Sequence, residues 1–181
     1  MLIIAGIGSR ETPQDALDSC ERIGAFVRGR GGYVRSGHAE GADMAFERGA
    51  KENTLVYLPW EGFGPDERHA PSRNYLVFDE MGVDSKELAF ESVDEYHPAP
   101  NRLSWGAKKC LGRDFFQVMG TKGDSPVRCV VCWAKPTGSG HGVKGGTGQA
   151  VRIATAQGIP IFNLHEVPED QIISWLEIVS K

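Results

Sequence analysis

Three times in this chain a short strand-like run ends in a loop of small residues that leads into a helical pattern. The loops are Gly6-Ile7-Gly8-Ser9-Arg10, then Ser36-Gly37-His38-Ala39-Glu40-Gly41-Ala42-Asp43, then Lys144-Gly145-Gly146-Thr147-Gly148-Gln149-Ala150. Strands that alternate with helices pair in parallel through right-handed crossovers, so the pattern points to an α/β, doubly wound sheet. In such sheets ligands collect outside the carboxyl ends of the strands, near the point where strand order reverses. All three loops fall at strand carboxyl ends, which places them around one cleft.

Hydrophobic spacing fills in the frame. Strands are expected at 2–6, 33–35, 54–58, 127–133 and 160–162, a mainly parallel five-strand Rossmann-like sheet. Helices are expected at 12–29, 41–52, 101–120, 146–157 and 168–180, the first with Thr12 as N-cap and Pro13 at its first position. Between 59 and 100 the pattern breaks into a stretch rich in aromatics, prolines and charge, with a helical piece at 86–96. It reads as an irregular insertion after the third strand, and as a lid. With 181 residues, the chain is read as one domain, 1–181, carrying the lid at 59–100.

The third loop carries the strongest chemical signal. Gly145, Gly146 and Gly148 open a helix, which makes a nest of backbone N–H groups suited to a phosphate. Thr147 and Gln149 belong to the same turn, and Lys144 adds a cation or is simply an exposed loop lysine. The first loop lacks the dinucleotide fingerprint, because Glu11 stands where a third glycine is needed. Gly6 and Gly8 there are expected to let the backbone approach a ligand, with Ser9 and Arg10 on its phosphate. In the second loop, Ser36, Gly37, His38 and Gly41 shape the turn. Asp43, in the first helical turn, either favours the helix dipole or accepts a ribose hydroxyl. Arg73 follows a loop bearing a histidine and a proline and is placed to close over a ligand. Trp133 ends the fourth strand, where its ring either stacks on a base or packs in the core.

Other features narrow the function. Cys129 and Cys132 have CxxC spacing but sit inside a strand-like run, where their side chains face opposite ways. The pair reads as buried structural thiols rather than a metal or redox site, and Cys20 and Cys110, on helical segments, supply no second metal half-site. The five histidines are scattered without ligand spacing, so neither metal nor cofactor is expected. A net charge of -4 argues against broad nucleic-acid binding. The chain shows neither a signal-peptide pattern nor an apolar run of membrane-spanning length, so a cytoplasmic location is expected.

The three loops, in this order, resemble the SLOG superfamily, the Rossmann-like fold shared by the DNA-processing protein A (Smf/DprA) and the LOG-type nucleotide hydrolases. Gly8-Ser9-Arg10 with Thr12, and the octet 36–43, are similar to the DprA side. Gly145-Gly146-Thr147-Gly148 followed by Gly158-Ile159-Pro160-Ile161-Phe162-Asn163-Leu164 is similar to the superfamily's second glycine motif and next strand. The resemblance implies a nucleotide, a nucleotide-derived signal or nucleic acid held by these loops, and a homo-oligomer. LOG hydrolases carry a proline before the two glycines and a glutamate on the following helix. Lys144 and Arg152 stand at those positions here, and an arginine at 152 suits anion binding. Three readings follow: a phosphate-bearing nucleotide bound in the cleft; a nucleotide N-glycosidase or phosphoribohydrolase using His38, Glu40 or Asp43 as acid–base groups; and single-stranded DNA binding of the DprA kind.

Overall fold

The computed structural model describes residues 1–64, 74–138, 142–143 and 145–181. The strands are β1 (Ile3–Gly8), β2 (Tyr33–Ser36), β3 (Thr54–Leu58), β4 (Asn74–Val77), β5 (Cys129–Trp133) and β6 (Ile161–Asn163). The helices are α1 (Gln14–Gly29), α2 (Ala42–Ala50), α3 (Val83–Tyr96), α4 (Trp105–Met119), α5 (Thr147–Ala156) and α6 (Glu169–Val179). The strands form one sheet in the order β4-β3-β2-β1-β5-β6. Every pairing between them is parallel. The chain builds outward from β1 to β4, returns through α3 and α4, and lays β5 on the other side of β1. Strand order therefore reverses between β1 and β5.

The sheet is buried on both faces, and the strands alternate accordingly. Ile4, Val34, Cys129 and Val131 pack with α1, α2 and α6. Ala5, Ile7, Val130 and Cys132 pack with α4 and α5. A third cluster joins Tyr57, Phe78, Ala89 and Phe116 under α3 and α4. Phe46, Phe78 and Phe116 are fully buried, and each contributes about 2–3 kcal/mol of apolar burial. Cys129 and Cys132 lie in different clusters as free thiols, their ionisation suppressed mainly by burial. Helices α1 and α2 cross with backbones in contact. A Cβ on Gly49 would overlap the Glu21 carbonyl oxygen, and one on Gly24 the Phe46 carbonyl oxygen.

Two expectations are corrected. The sheet has six strands rather than five. The sixth, β4, lies in the stretch expected to be irregular and extends the sheet; α3, which covers it, is the helical piece expected at 86–96, begun three residues earlier. The four residues Asn74–Val77 form a partly exposed edge strand, too short for a periodic signal, and β3 supplies the pairing. The first helix starts at Gln14, with Pro13 extended at its cap. Thr12 does not cap it; its hydroxyl donates to the Ser9 carbonyl at 2.6 Å and tightens the turn after β1.

Candidate functional site: a cleft at the strand-order reversal

A cleft of ≈ 460 Å³ opens at the carboxyl ends of β1 and β5. This is where an open α/β sheet admits ligands, and the volume is in the range of small-molecule sites. One wall is Gly8, Ser9 and Arg10 after β1, with Ala39 and Asp43 beside them. The opposite wall is Gly145, Gly146 and Thr147 at the start of α5. Leu111, Arg113 and Asp114 of α4, with Phe63, complete it.

The wall after β1 is tied down from several sides. Gly8 N–H donates to Asp43 Oδ1 at 2.9 Å, and Ala39 N–H to Asp43 Oδ2 at 3.3 Å. Ser9 N–H donates to the Trp133 carbonyl at 3.0 Å, and Ser9 Oγ accepts from Glu11 N–H at 3.0 Å. Asp43 is thus a brace between two loops, with both oxygens engaged. Burial pushes its carboxyl up to about 6, against the pull of Arg113 and the two N–H donors. Gly6 and Gly8 are small because α2 lies against them: Cβ atoms there would sit 2.6 Å from the Phe46 ring and 2.5 Å from the Ala42 Cβ. Packing, not ligand approach, already accounts for both.

The second loop mostly turns inward. The Gly37 peptide is held by α4 on both sides: Arg113 Nη1 donates to its carbonyl. In the amide orientation that satisfies both of its neighbours, Gln117 accepts from Gly37 N–H at 2.7 Å. His38 is fully buried with a left-handed φ of 58°. Its Nδ1 lies 2.7 Å from Glu47 Oε2, while Ser36 Oγ donates to Glu47 Oε1 at 2.8 Å. Gly41 has φ 96°, and a Cβ there would lie 2.5 Å from the Ser9 carbonyl oxygen. Glu40 is exposed beside Arg10 and Gly64, on an adjoining depression. Of the three acid–base candidates, only Asp43 lines the cleft; His38 lies buried behind it and Glu40 beside it.

The third loop is built differently. Gly145 has φ 78°, whereas Gly146 has helical angles of -60° and -37°. Among the described residues a Cβ on either would meet nothing within 4 Å. Helix α5 has no side-chain cap. The first N–H groups with internal acceptors are those of Gly148 and Gln149, which bond to the carbonyls of Gly145 and Gly146. Among the described residues the N–H groups of Gly146 and Thr147 have no acceptor, and they carry the positive end of the helix dipole. Gly148 and Gln149 support the turn from behind. Gln149 is buried, donates to the Ser92 carbonyl at 2.9 Å and accepts from Arg152 Nη2 at 2.9 Å. Trp133 is also buried; its ring lies 5.7 Å from that of His165 and does not line the cleft. Lys144 and Arg73 lie outside the described residues.

Helix α4 supplies the wall that the sequence reading missed. The Arg113 guanidinium lies 5.0 Å from the centre of the Phe63 ring and 3.8 Å from Asp114 Oδ1. Asp114 is only 3% exposed. Burial pushes its carboxyl up to about 8; Asp43 adds to this, while Arg113 and Arg152 oppose it. The signal was present: Asp114 and Gln117 fall between Leu111 and Val118 on the apolar stripe, where a charged side chain calls for a reason. Among the described residues, no three His, Cys, Asp or Glu side chains gather as a metal site. Nor does any described helix have the length and apolar character to cross a membrane.

No protein-family model matches this chain. No curated protein matches it either. Among solved structures it is similar to DNA processing protein A from Helicobacter pylori, described for its single-stranded DNA binding mode. The TM-score is 0.60 at 17% identity, over 99% of this chain and 73% of that chain. At this identity the likeness concerns the fold, and it agrees with the fold that the SLOG resemblance implies.

Proposed function

We propose that the cleft binds a phosphate-bearing nucleotide or a nucleotide-derived signal, with the phosphate on the N-terminus of α5. The observation that carries this reading is the pair of N–H groups on Gly146 and Thr147, without acceptors among the described residues and open to a cleft at the strand-order reversal. Arg10, exposed on the rim, adds positive charge. A panel of nucleoside mono-, di- and cyclic phosphates tests the reading by thermal denaturation. A ligand present at one hundred times its dissociation constant raises stability by about 2.7 kcal/mol, a shift of several degrees for a chain of this size. Absence of a shift with every member of the panel overturns it.

A second reading, single-stranded DNA binding, is favoured by the fold likeness and by an aromatic surface leading away from the cleft. Phe63 packs on Trp60 at 5.2 Å, and Trp60 approaches Gly106 beside Trp105. Trp60 and Trp105 are 36% and 64% exposed, which suits base stacking. The neighbouring lysines are matched by acids, Lys108 with Asp94 and Lys109 with Asp79, so the electrostatic contribution is weak. Quenching of tryptophan fluorescence by an oligonucleotide, steeply reduced by salt, supports this reading; no quenching at low salt removes it.

A further inference from the structure

We propose that a second cavity, between α5 and the strands β5 and β6, binds a small organic cation: a protonated amine on an apolar body, with Glu166 as its counter-ion. The inference goes beyond the nucleotide reading and does not depend on it. This cavity has no described lining residue in common with the cleft at the strand-order reversal.

The cavity measures ≈ 260 Å³. Val151 of α5 and Ile161 of β6 form two of its sides, and Pro136, Val143 and Val167 supply the rest of an apolar wall. Pro136 and Val143 are joined by an antiparallel bridge, so backbone pairing holds that side in place. Cys132, fully buried on β5, belongs to the lining as well.

The polar side chains of the lining are engaged, with one exception. Thr155 Oγ donates to the Val151 carbonyl at 2.8 Å. Asn163 Nδ2 donates to the Ala134 carbonyl at 2.8 Å. Its Oδ1 accepts from the N–H groups of Ala134 at 3.0 Å and His165 at 3.2 Å. The exception is Glu166, exposed at the edge of the cavity. Its N–H donates to the Asn163 carbonyl at 2.8 Å, which fixes the residue there. Among the described residues its carboxylate has neither a hydrogen bond nor an ion pair, and no lysine or arginine lines the cavity. The charge of Glu166 is felt inside: burial pushes the Cys132 thiol up to about 12, and Glu166 adds to the rise.

An apolar cavity with one unpaired charge at its edge suits an amphiphile. The apolar body takes the place of water along walls that offer it no hydrogen bond, and the ammonium meets the carboxylate. An anion is repelled by Glu166, and a neutral molecule of the same shape leaves its attraction unused. The volume is below the roughly 300 Å³ at which larger ligand sites begin, so the body is a single ring or a short chain.

Titration of the full chain with benzylamine, benzyl alcohol and benzoate, followed by the protein's amide NMR shifts, tests the proposal. The three probes share a ring and differ in charge. Wild type is expected to bind benzylamine at about 1 mM, the scale for so few atoms. Benzyl alcohol should bind about fivefold more weakly, the upper range for an exposed ion pair, and benzoate more weakly still. Glu166→Gln is expected to bring the amine within about twofold of the alcohol. Thr155→Phe fills the cavity from α5 and is expected to abolish binding of both. Both substitutions are at exposed positions, and thermal midpoints show that the variants fold. Absence of benzylamine binding to wild type overturns the proposal, as does equal affinity for amine and alcohol. So does a preference that survives in Glu166→Gln, or binding that survives in Thr155→Phe. None of these outcomes bears on the anion site of α5.

Discussion

At the end of β1, a Cβ on Gly8 would lie 2.5 Å from the Ala42 Cβ and 2.9 Å from the Trp133 carbonyl oxygen. At the start of α5, a Cβ on Gly145 or Gly146 would meet nothing within 4 Å among the described residues. Both loops line the same cleft, and both looked alike as glycine-rich turns. The first is glycine because the protein fills the space. At Gly146, where the backbone is ordinary helix, the protein leaves the space empty. The wall after β1 and α2 is therefore a finished packing surface, and the wall of α5 is one that lacks its partner.

The largest effect should come from forcing the packed wall. Gly8→Ala drives a methyl between a central strand and α2, where neither backbone has room to retreat. Overpacking of this kind costs about 3 kcal/mol, a fall in thermal midpoint of roughly 6–12 °C for a chain of this length. Equilibrium denaturation measures it. A variant as stable as wild type would show that the two loops do not differ in the way their packing implies.

The carboxyls divide along the same line. Asp43 on the packed wall satisfies two backbone N–H groups; among the described residues Asp114 on the α4 wall accepts from the Gln117 amide and from no backbone N–H. Their amide variants should then differ in sign at high pH. Asp43→Asn leaves a buried N–H without an acceptor and costs about 2 kcal/mol. For Asp114 the folded value of about 8 exceeds the ordinary 3.8, so the folded chain holds the proton more tightly. That contribution to stability is complete below pH 3.8 and is lost as the pH rises through about 8. Asp114→Asn removes the loss, so it should match wild type near pH 4 and gain on the order of 2 kcal/mol above pH 8. Denaturation midpoints between those limits decide it, and a variant that is destabilised at both ends contradicts the placement of Asp114.

Much of the frame was legible because its signals are local. The run at 145–148 and the octet at 36–43 announce strand-to-helix turns through backbone requirements that only small residues meet. The pair Cys129 and Cys132 declared its opposite faces through strand periodicity alone. What stayed hidden depends on distant neighbours. Gly6 and Gly8 read as room for a ligand because nothing nearby in sequence shows that Phe46 and Ala42 occupy it. Strand β4 is four residues long and takes its shape from β3. Arg113, Asp114 and Gln117 became part of the site only because α4 crosses back over the sheet to grip Gly37. His38 drew attention as a histidine in a glycine loop, yet its partner Glu47 lies on α2, and the pair is buried.

Gly146 gives the smallest effect and the most direct test of the open wall. Its angles are those any L residue adopts, and its Cβ position is empty. Gly146→Val should therefore leave stability within about 0.5 kcal/mol of wild type, the ordinary range for an exposed substitution away from special features. Binding should change instead. The added side chain stands between the ligand and the N–H groups of Gly146 and Thr147, so the affinity for a nucleoside monophosphate should fall about tenfold, or ~1.4 kcal/mol. Titration and thermal denaturation of the same sample separate the two terms. Unchanged affinity with unchanged stability would mean that glycine at this position serves neither fold nor ligand, and the phosphate would have to be sought elsewhere in the cleft. A loss of stability would mean that the loop is packed after all, and the asymmetry between the two walls would disappear.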